Sequence, residues 1–405
     1  MEKQMNIPKL RFSEFEGEWK KKKVGELCDS IVPGRNKPTD FEGDIPWITT
    51  PDIEHNGIIT ISKKGLKISK EQAKKIGSKI VPQNSIVISC VGDLGLSAIA
   101  GTEIVINQQL HAFLPKEKIE YRFLLYQLNL QKKYMDMVAT KTAVPYMNKD
   151  NCNSIPITFP TLLEQKRIAS FFMVIDKKIT ELKQKKILLE QYKKGVIQKL
   201  FSQELRFRDE NGREFPKWEE NKLGEVFYCE KGKGISKNKV VIDGKYECVL
   251  YGELYTKYDE VIFEVVSKTN EDDGTKSKIG DLLIPSSTTT TGIDLANVTA
   301  LNKDNVLLGG DITILRSNGK TNNVFYAYYF SNHKKEEIAS YAQGSTIVHL
   351  YYSHIKDMQI DIPCIEEQTK IAKFLSAIDD KINRTEIQIQ QTDHYKKGLL
   401  QKMFC

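Results

Sequence analysis

Two stretches of the chain carry apolar residues on an alternating four-three spacing. In the first these are Ile168, Phe172, Ile175, Ile179, Leu182, Leu189, Val196 and Leu200, broken by Lys186 and Lys193. In the second they are Ile371, Leu375, Ile378, Ile382, Ile389, Leu399 and Met403, with Thr385, Thr392 and Lys396 at the weaker positions. The spacing predicts one apolar seam along each of two long helices, and a seam needs a partner to cover it. Pro160 and Pro363 stand just ahead, and a Glu/Gln-rich first turn suits the positive end of a helix. A helix of roughly 38 residues would be on the order of 55 Å long. Gly195 and Gly398 are minor blemishes in it, each costing ~1 kcal/mol relative to Ala.

The two stretches are copies of one another. Without a gap, Glu164-Gln165 to Phe201 realigns on Glu367-Gln368 to Phe404, and Ile168, Ala169, Phe171, Ile175, Asp176 and Tyr192 to Gly195 all return as identical residues. A looser echo opens each half: Leu10-Arg11-Phe12 returns as Leu205-Arg206-Phe207, Trp19 as Trp218, and Gly25-Glu26 as Gly224-Glu225. Between these framing elements the contents diverge. One architecture presenting two different surfaces accounts for a repeated frame around unlike contents.

The divergent parts read as mixed α/β globules. Ser85–Ser89, Glu103–Ile106, Asp281–Ile284 and Asp311–Leu315 have strand character, and Tyr121–Met137 and Asn323–Ala342 have helical character. The fold class expected is α/β (α+β), a pseudo-twofold tandem repeat. Its parts are a first globular domain at 1–160, a helix at 161–203, a second globular domain at 204–363 and a helix at 364–405.

At 405 residues there is ample material for two cores. Of these residues 40% are hydrophobic and 28% charged, and no apolar run reaches the ~20 residues of a membrane span. The polar start from Met1 to Asn6, leading into Ile7-Pro8-Lys9, has no secretory pattern, so a cytoplasmic location and no membrane partner are expected. Seven scattered cysteines form no Cys-x-x-Cys pair and are expected to be reduced. The net charge of +7 is compatible with a nucleic-acid partner without requiring one.

Catalytic signatures are missing. No phosphate-binding loop occurs, since Lys231-Gly232-Lys233-Gly234 lacks both the spacing and the hydroxyl, and no cofactor-binding Gly loop or Pro-Pro-aromatic motif of an adenine methyltransferase is present. The six histidines offer only the loose His349/His354 pair, and Asp52, Glu54 and Glu264 read as solvated carboxylates, so no metal is expected. The charge run Lys20–Lys23, whose counterpart Glu219 to Lys222 does not keep its sign, reads as a solvated face.

The sequence does offer polar loops at parallel stations of the two copies. Arg35, Asn36 and Lys37 follow Gly34, as Ser236, Lys237 and Asn238 follow Gly234. Thr49, Thr50, Gln108, Gln109, Lys141, Thr142 and Tyr146 complete the first set, and Tyr251, Ser286, Ser287, Thr288, Gln343, Ser345 and His349 the second. Amides pair with adenine edges, cations with guanine or phosphate, and hydroxyls with either, so these are the candidate DNA contacts. Two other readings fit a duplicated chain with paired helices: two catalytic domains on one support, or a structural tether.

The doubled start Pro160-x-x-x-Glu164-Gln165-x-x-Ile168-Ala169 and Pro363-x-x-x-Glu367-Gln368-x-x-Ile371-Ala372, together with Leu10-Arg11-Phe12 to Trp19, resembles the specificity subunits of Type I restriction-modification systems over the whole chain. The resemblance implies two target recognition domains separated by an antiparallel coiled coil of the two helices. It implies a non-catalytic subunit that recognises a bipartite site on double-stranded DNA. Two modification subunits would supply S-adenosylmethionine and adenine-N6 methyl transfer, and restriction subunits would supply ATP- and Mg-dependent translocation and cleavage. Family members often place Gly and Arg in the loop before the last strand of a recognition domain. Gly344 fits, whereas Lys141-Thr142-Ala143 has no Gly.

Overall fold

The computed structural model describes residues 6–34 and 36–405. The two seams form helices Leu162–Phe201 and Ile365–Met403, each running unbroken through its glycine. Packing divides the chain into two compact units, residues 1–183 with 387–405, and residues 184–386. Each unit therefore takes part of both long helices.

The units share one topology. In the first, a five-stranded sheet has the order Cys28–Ile31, Leu110–Pro115, Ile86–Ser89, Ser97–Ala100, Ile58–Ile59; in the second, the order is Phe227–Lys231, Ile312–Ser317, Asp281–Pro285, Thr299–Leu301, Val261–Ile262. In both, only the pairing with the last strand is parallel. Each unit has a second sheet, three-stranded in the first unit, where Ile45–Ile48 runs parallel to Val105–Ile106, and five-stranded in the second, where Tyr246–Val249 runs parallel to Leu307–Leu308. The central strands are apolar on both faces, Ile86–Ser89 and Asp281–Pro285 being wholly buried, which explains their near-continuous hydrophobic runs.

Lys20–Lys23 pairs antiparallel with Pro156–Phe159, and Glu219–Lys222 with Gln359–Ile362. These ribbons close each unit just before a long helix. All four lysines of the first are exposed. The expected helix Tyr121–Met137 is broken into Tyr121–Asn129 and Lys132–Val138, and Asn323–Ala342 is broken by a π-helical turn at Tyr329–His333. That turn sits among Phe201, Phe325 and Tyr326, whose rings lie within 6.3 Å of Tyr329. Aromatic packing outweighs regular helix geometry there.

Within the first unit, Ile168, Phe172, Ile175 and Ile179 share a core with Leu399, Met403 and Phe404, together with Trp19 and Phe123. Within the second, Val196, Ile197, Leu200 and Phe201 share one with Ile371, Ala372, Leu375 and Ile378. The start of one helix thus meets the end of the other in each unit, which makes the pair antiparallel. Leu182, Leu189 and Ile382 are half-buried, while Ile389 is buried. Among the described residues no helix is long and apolar enough to cross a membrane.

Candidate nucleic-acid interface

The repeated motifs turn out to anchor each unit to its helix. Arg11 grips the buried Glu164 with two hydrogen bonds of 2.8 Å, and Arg206 grips Glu367 at 3.1 and 2.7 Å. Such forked pairing fixes orientation as well as charge. The carboxylate partner raises the pKa of each guanidinium. Phe12 meets Phe171 edge-on at 5.8 Å, and Phe207 meets Phe374 at 5.5 Å. Gln165 accepts from the Glu120 N–H and donates to the Pro160 carbonyl; Gln368 does the same with Asn322 and Pro363. Each glutamine thereby ties the helix start to the N-cap of the helix beneath it.

On this frame the variable loops form matching edges. In the first unit the Asn107 N–H donates to the Ile48 carbonyl at 2.9 Å, and the Thr50 hydroxyl donates to Gln109 Oε1 at 3.1 Å. Thr49 is held by Asp52, which accepts from its N–H and hydroxyl at 2.7 Å. The Gln108 amide donates to the carbonyls of Gly34 and Asn36 at 2.9 and 3.1 Å, so it braces the loop that carries Asn36 and Lys37. Arg35 lies outside the described residues. The Cys90 N–H bonds to the Gln109 carbonyl, Val91 bridges to Tyr146, and the loop from Thr140 closes where its N–H meets the Tyr146 carbonyl at 2.9 Å. Thr49, Thr50, Gln108, Gln109, Thr142 and Tyr146 are thus brought onto one connected edge, with Lys141 exposed in its loop.

The second unit repeats the ladder with other residues. The Gly309 N–H donates to the Val249 carbonyl at 2.9 Å, which puts Gly309, Gly310 and Asp311 where the first unit has Asn107, Gln108 and Gln109. Tyr251 opens the turn after strand Tyr246–Val249, as Thr50 does after Ile45–Ile48. Gln343 and His349 exchange backbone hydrogen bonds of 2.9 and 2.7 Å, closing a loop that exposes Ser345. His349 pairs with Ser287, and the Leu350 N–H bonds to the Ser286 carbonyl, as Met147 bonds to Cys90.

One expectation is corrected. Ser286, Ser287 and Thr288 are buried, because Ser287–Thr288 is a strand beneath Val348–His349; the Ser286 hydroxyl bonds to Thr313 and that of Ser287 to Asp311. The exposed hydroxyls of that run are Thr289 to Thr291. Ser236, Lys237 and Asn238 are exposed, as expected of loop residues, on a turn leading into the edge strand Val240–Val241 of the second sheet.

The sequence reading missed Tyr351, whose hydroxyl lies 3.1 Å from His349 Nδ1 and whose ring carries the Lys231 ammonium 5.5 Å from its centre. It also missed Val144 and Ile347, exposed in the two closing loops. No local pattern marks any of these; they are found by following the strand pairing.

Among the described residues no three His, Cys, Asp or Glu side chains converge as a metal site would require. The cysteines are free, and burial pushes the Cys28 thiol up to about 12 and those of Cys90 and Cys248 up to about 11.

A family model described as the Type I restriction modification DNA specificity domain matches residues 16–191 and again 216–392. The chain is 24% identical over 403 residues to the Type I restriction enzyme MjaIX specificity subunit of Methanocaldococcus jannaschii, covering 94% of this chain and 91% of that one. It is 22% identical over 414 residues to the MjaVIII specificity subunit of the same organism, covering 98% and 95%. The fold is similar to the crystal structure of the Type I restriction-modification system S subunit from M. genitalium, with a TM-score of 0.63 at 17% identity over 98% of this chain and 99% of that one. A second solved chain, from work on complex assembly and conformational transition of the type I R-M system, has a TM-score of 0.54 at 16% identity, covering 95% and 96%.

Proposed function

We propose, for a chain that belongs to the Type I restriction modification DNA specificity family and is a DNA-specificity subunit with two recognition domains, that each unit reads one half of a bipartite site on double-stranded DNA. The supporting observation is the doubled frame. Arg11–Glu164 and Arg206–Glu367 hold two like scaffolds, while residues at matching stations of the loop edges differ, Thr50 against Tyr251, Gln108 against Gly310 and Tyr146 against His349.

On this reading the chain is non-catalytic and works in the cytoplasm. Two modification subunits bind S-adenosylmethionine and methylate adenine, and restriction subunits supply ATP- and Mg-dependent translocation and cleavage. The paired helices are the element on which such partners dock. Phosphate contacts from the exposed lysines would set register, and amide, hydroxyl and aromatic side chains would choose bases.

The test is an exchange of residues 30 to 155 for those of another family member, followed by methylome sequencing of cells that also carry the modification subunit. One half of the methylated motif should change and the other should stay. Changed bases on both sides of the gap would refute independent reading.

A further inference from the structure

The loops Thr140–Tyr146 and Gln343–His349 occupy the same station, and each exposes a β-branched aliphatic side chain at the same place in it. Val144 is 56% exposed and Ile347 is 49% exposed. Such a residue in a polar loop adds little to folding, because its apolar surface stays in water.

The loops hold these two residues by different means. In the first, the Thr142 hydroxyl donates to the Val144 carbonyl at 2.7 Å, and the Thr140 hydroxyl lies 3.2 Å from that of Thr142. In the second, Gly344 takes φ +121°, and a Cβ there would stand 2.1 Å from the Ile347 carbonyl oxygen. Only glycine lets the backbone close on that carbonyl. Two unlike sequences thus fix the same backbone position and leave the same type of side chain pointing out. A β-branched side chain is also stiff, so little rotamer freedom is lost when it meets a surface.

The occupant follows from what DNA offers. Among the base edges of the major groove, the C5-methyl of thymine is the apolar group. Resting on the DNA-reading role of the two units, we propose that Val144 and Ile347 are specificity-determining residues, each packing on the methyl of one thymine in its own half-site. The surrounding hydroxyls and amides then serve the polar edges.

Uracil, which lacks that methyl, tests this directly. The full complex with its modification subunits would be assayed for methylation of duplexes carrying thymine or uracil at each position of both half-sites. The unmodified chain should lose about fourfold at one position per half-site, the worth of one methyl-sized apolar group. Val144→Ala should abolish that sensitivity in the first half only, and Ile347→Ala in the second only. Ile347→Val, which keeps a branched methyl, should retain it and so control for loop folding. If the chain prefers a bipartite site but no position responds to uracil, or if the alanine variants respond as before, the assignment is overturned while the DNA-reading role stands. If no bipartite preference exists at all, both fall.

Discussion

The Lys193 ammonium lies 2.8 Å from the Asp379 carboxylate, joining the two long helices within the second unit. Glu260 flanks the same ammonium at 2.8 Å, and the Tyr328 ring lies 5.2 Å away. Burial works against the Lys193 charge, yet two carboxylates outweigh it and raise its pKa. Burial together with the nearby Glu260 leaves Asp379 above the usual carboxylate range. The ammonium is therefore the better compensated partner. The first unit carries the matching set Lys396, Asp176 and Tyr126.

Removing the shared cation should cost most. Lys193→Met leaves two carboxylates facing each other, and is expected to destabilise the second unit by about 3–5 kcal/mol, the cost of uncompensated buried charge. Asp379→Asn should cost less, because Glu260 still pairs the lysine. Urea unfolding midpoints of the two variants check the order. Equal midpoints would show that the lysine is solvated rather than paired.

The two arginine anchors should respond unequally to loss of the carboxylate. Glu367 accepts from Arg206 and also from Trp218 Nε1 at 3.0 Å, and Arg206 has one further acceptor, the Pro216 carbonyl, whereas Arg11 has two, the Gly17 and Glu16 carbonyls, and Trp19 Nε1 has no partner. Glu367→Gln is expected to cost about 2–3 kcal/mol and Glu164→Gln about 1 kcal/mol less. Thermal unfolding of the single variants measures the difference.

Gly344→Ala places a methyl group against the Ile347 carbonyl at a backbone angle that side chains rarely adopt. A stability loss of about 1–3 kcal/mol is expected from the strain. Sequence discrimination in one half-site should fall while the other half is read normally. Lys141, at the corresponding place in the first unit, is exposed, and Lys141→Ala should leave its loop folded. Methylation profiles of the two variants, assembled with modification subunits, separate these effects.

His111 gives the first unit an acid sensitivity. It is 2% exposed, its Nε2 has no hydrogen-bond partner, and burial lowers its pKa to about 4. The unfolded chain protonates it near pH 6.5, so the unfolded state binds the extra proton between about pH 6.5 and 4. Stability is unaffected above that window and falls as the pH drops through it, by about 2 kcal/mol at pH 5. His111→Phe should flatten the profile over this range. A profile with the same slope in the variant would locate the sensitivity elsewhere.

Periodicity and repetition were enough to place both long helices, the seam residues Ile168, Phe172, Ile371 and Leu375, and the frame motifs, because these depend on local spacing and on one stretch being written twice. The same reading took Lys193 and Lys396 as breaks in the seam and Ser286 to Thr288 as surface. Only packing shows that each lysine meets an aspartate of the other helix and that the serines lie under strand Val348–His349. Tyr146 and His349 were legible as polar residues in loops. That Tyr146 meets Val91, His349 meets Ser287, and Val144 and Ile347 stand exposed in the loops that end at Tyr146 and His349 depends on strand pairing across long stretches of chain, and single-sequence patterns carry no register for such pairs.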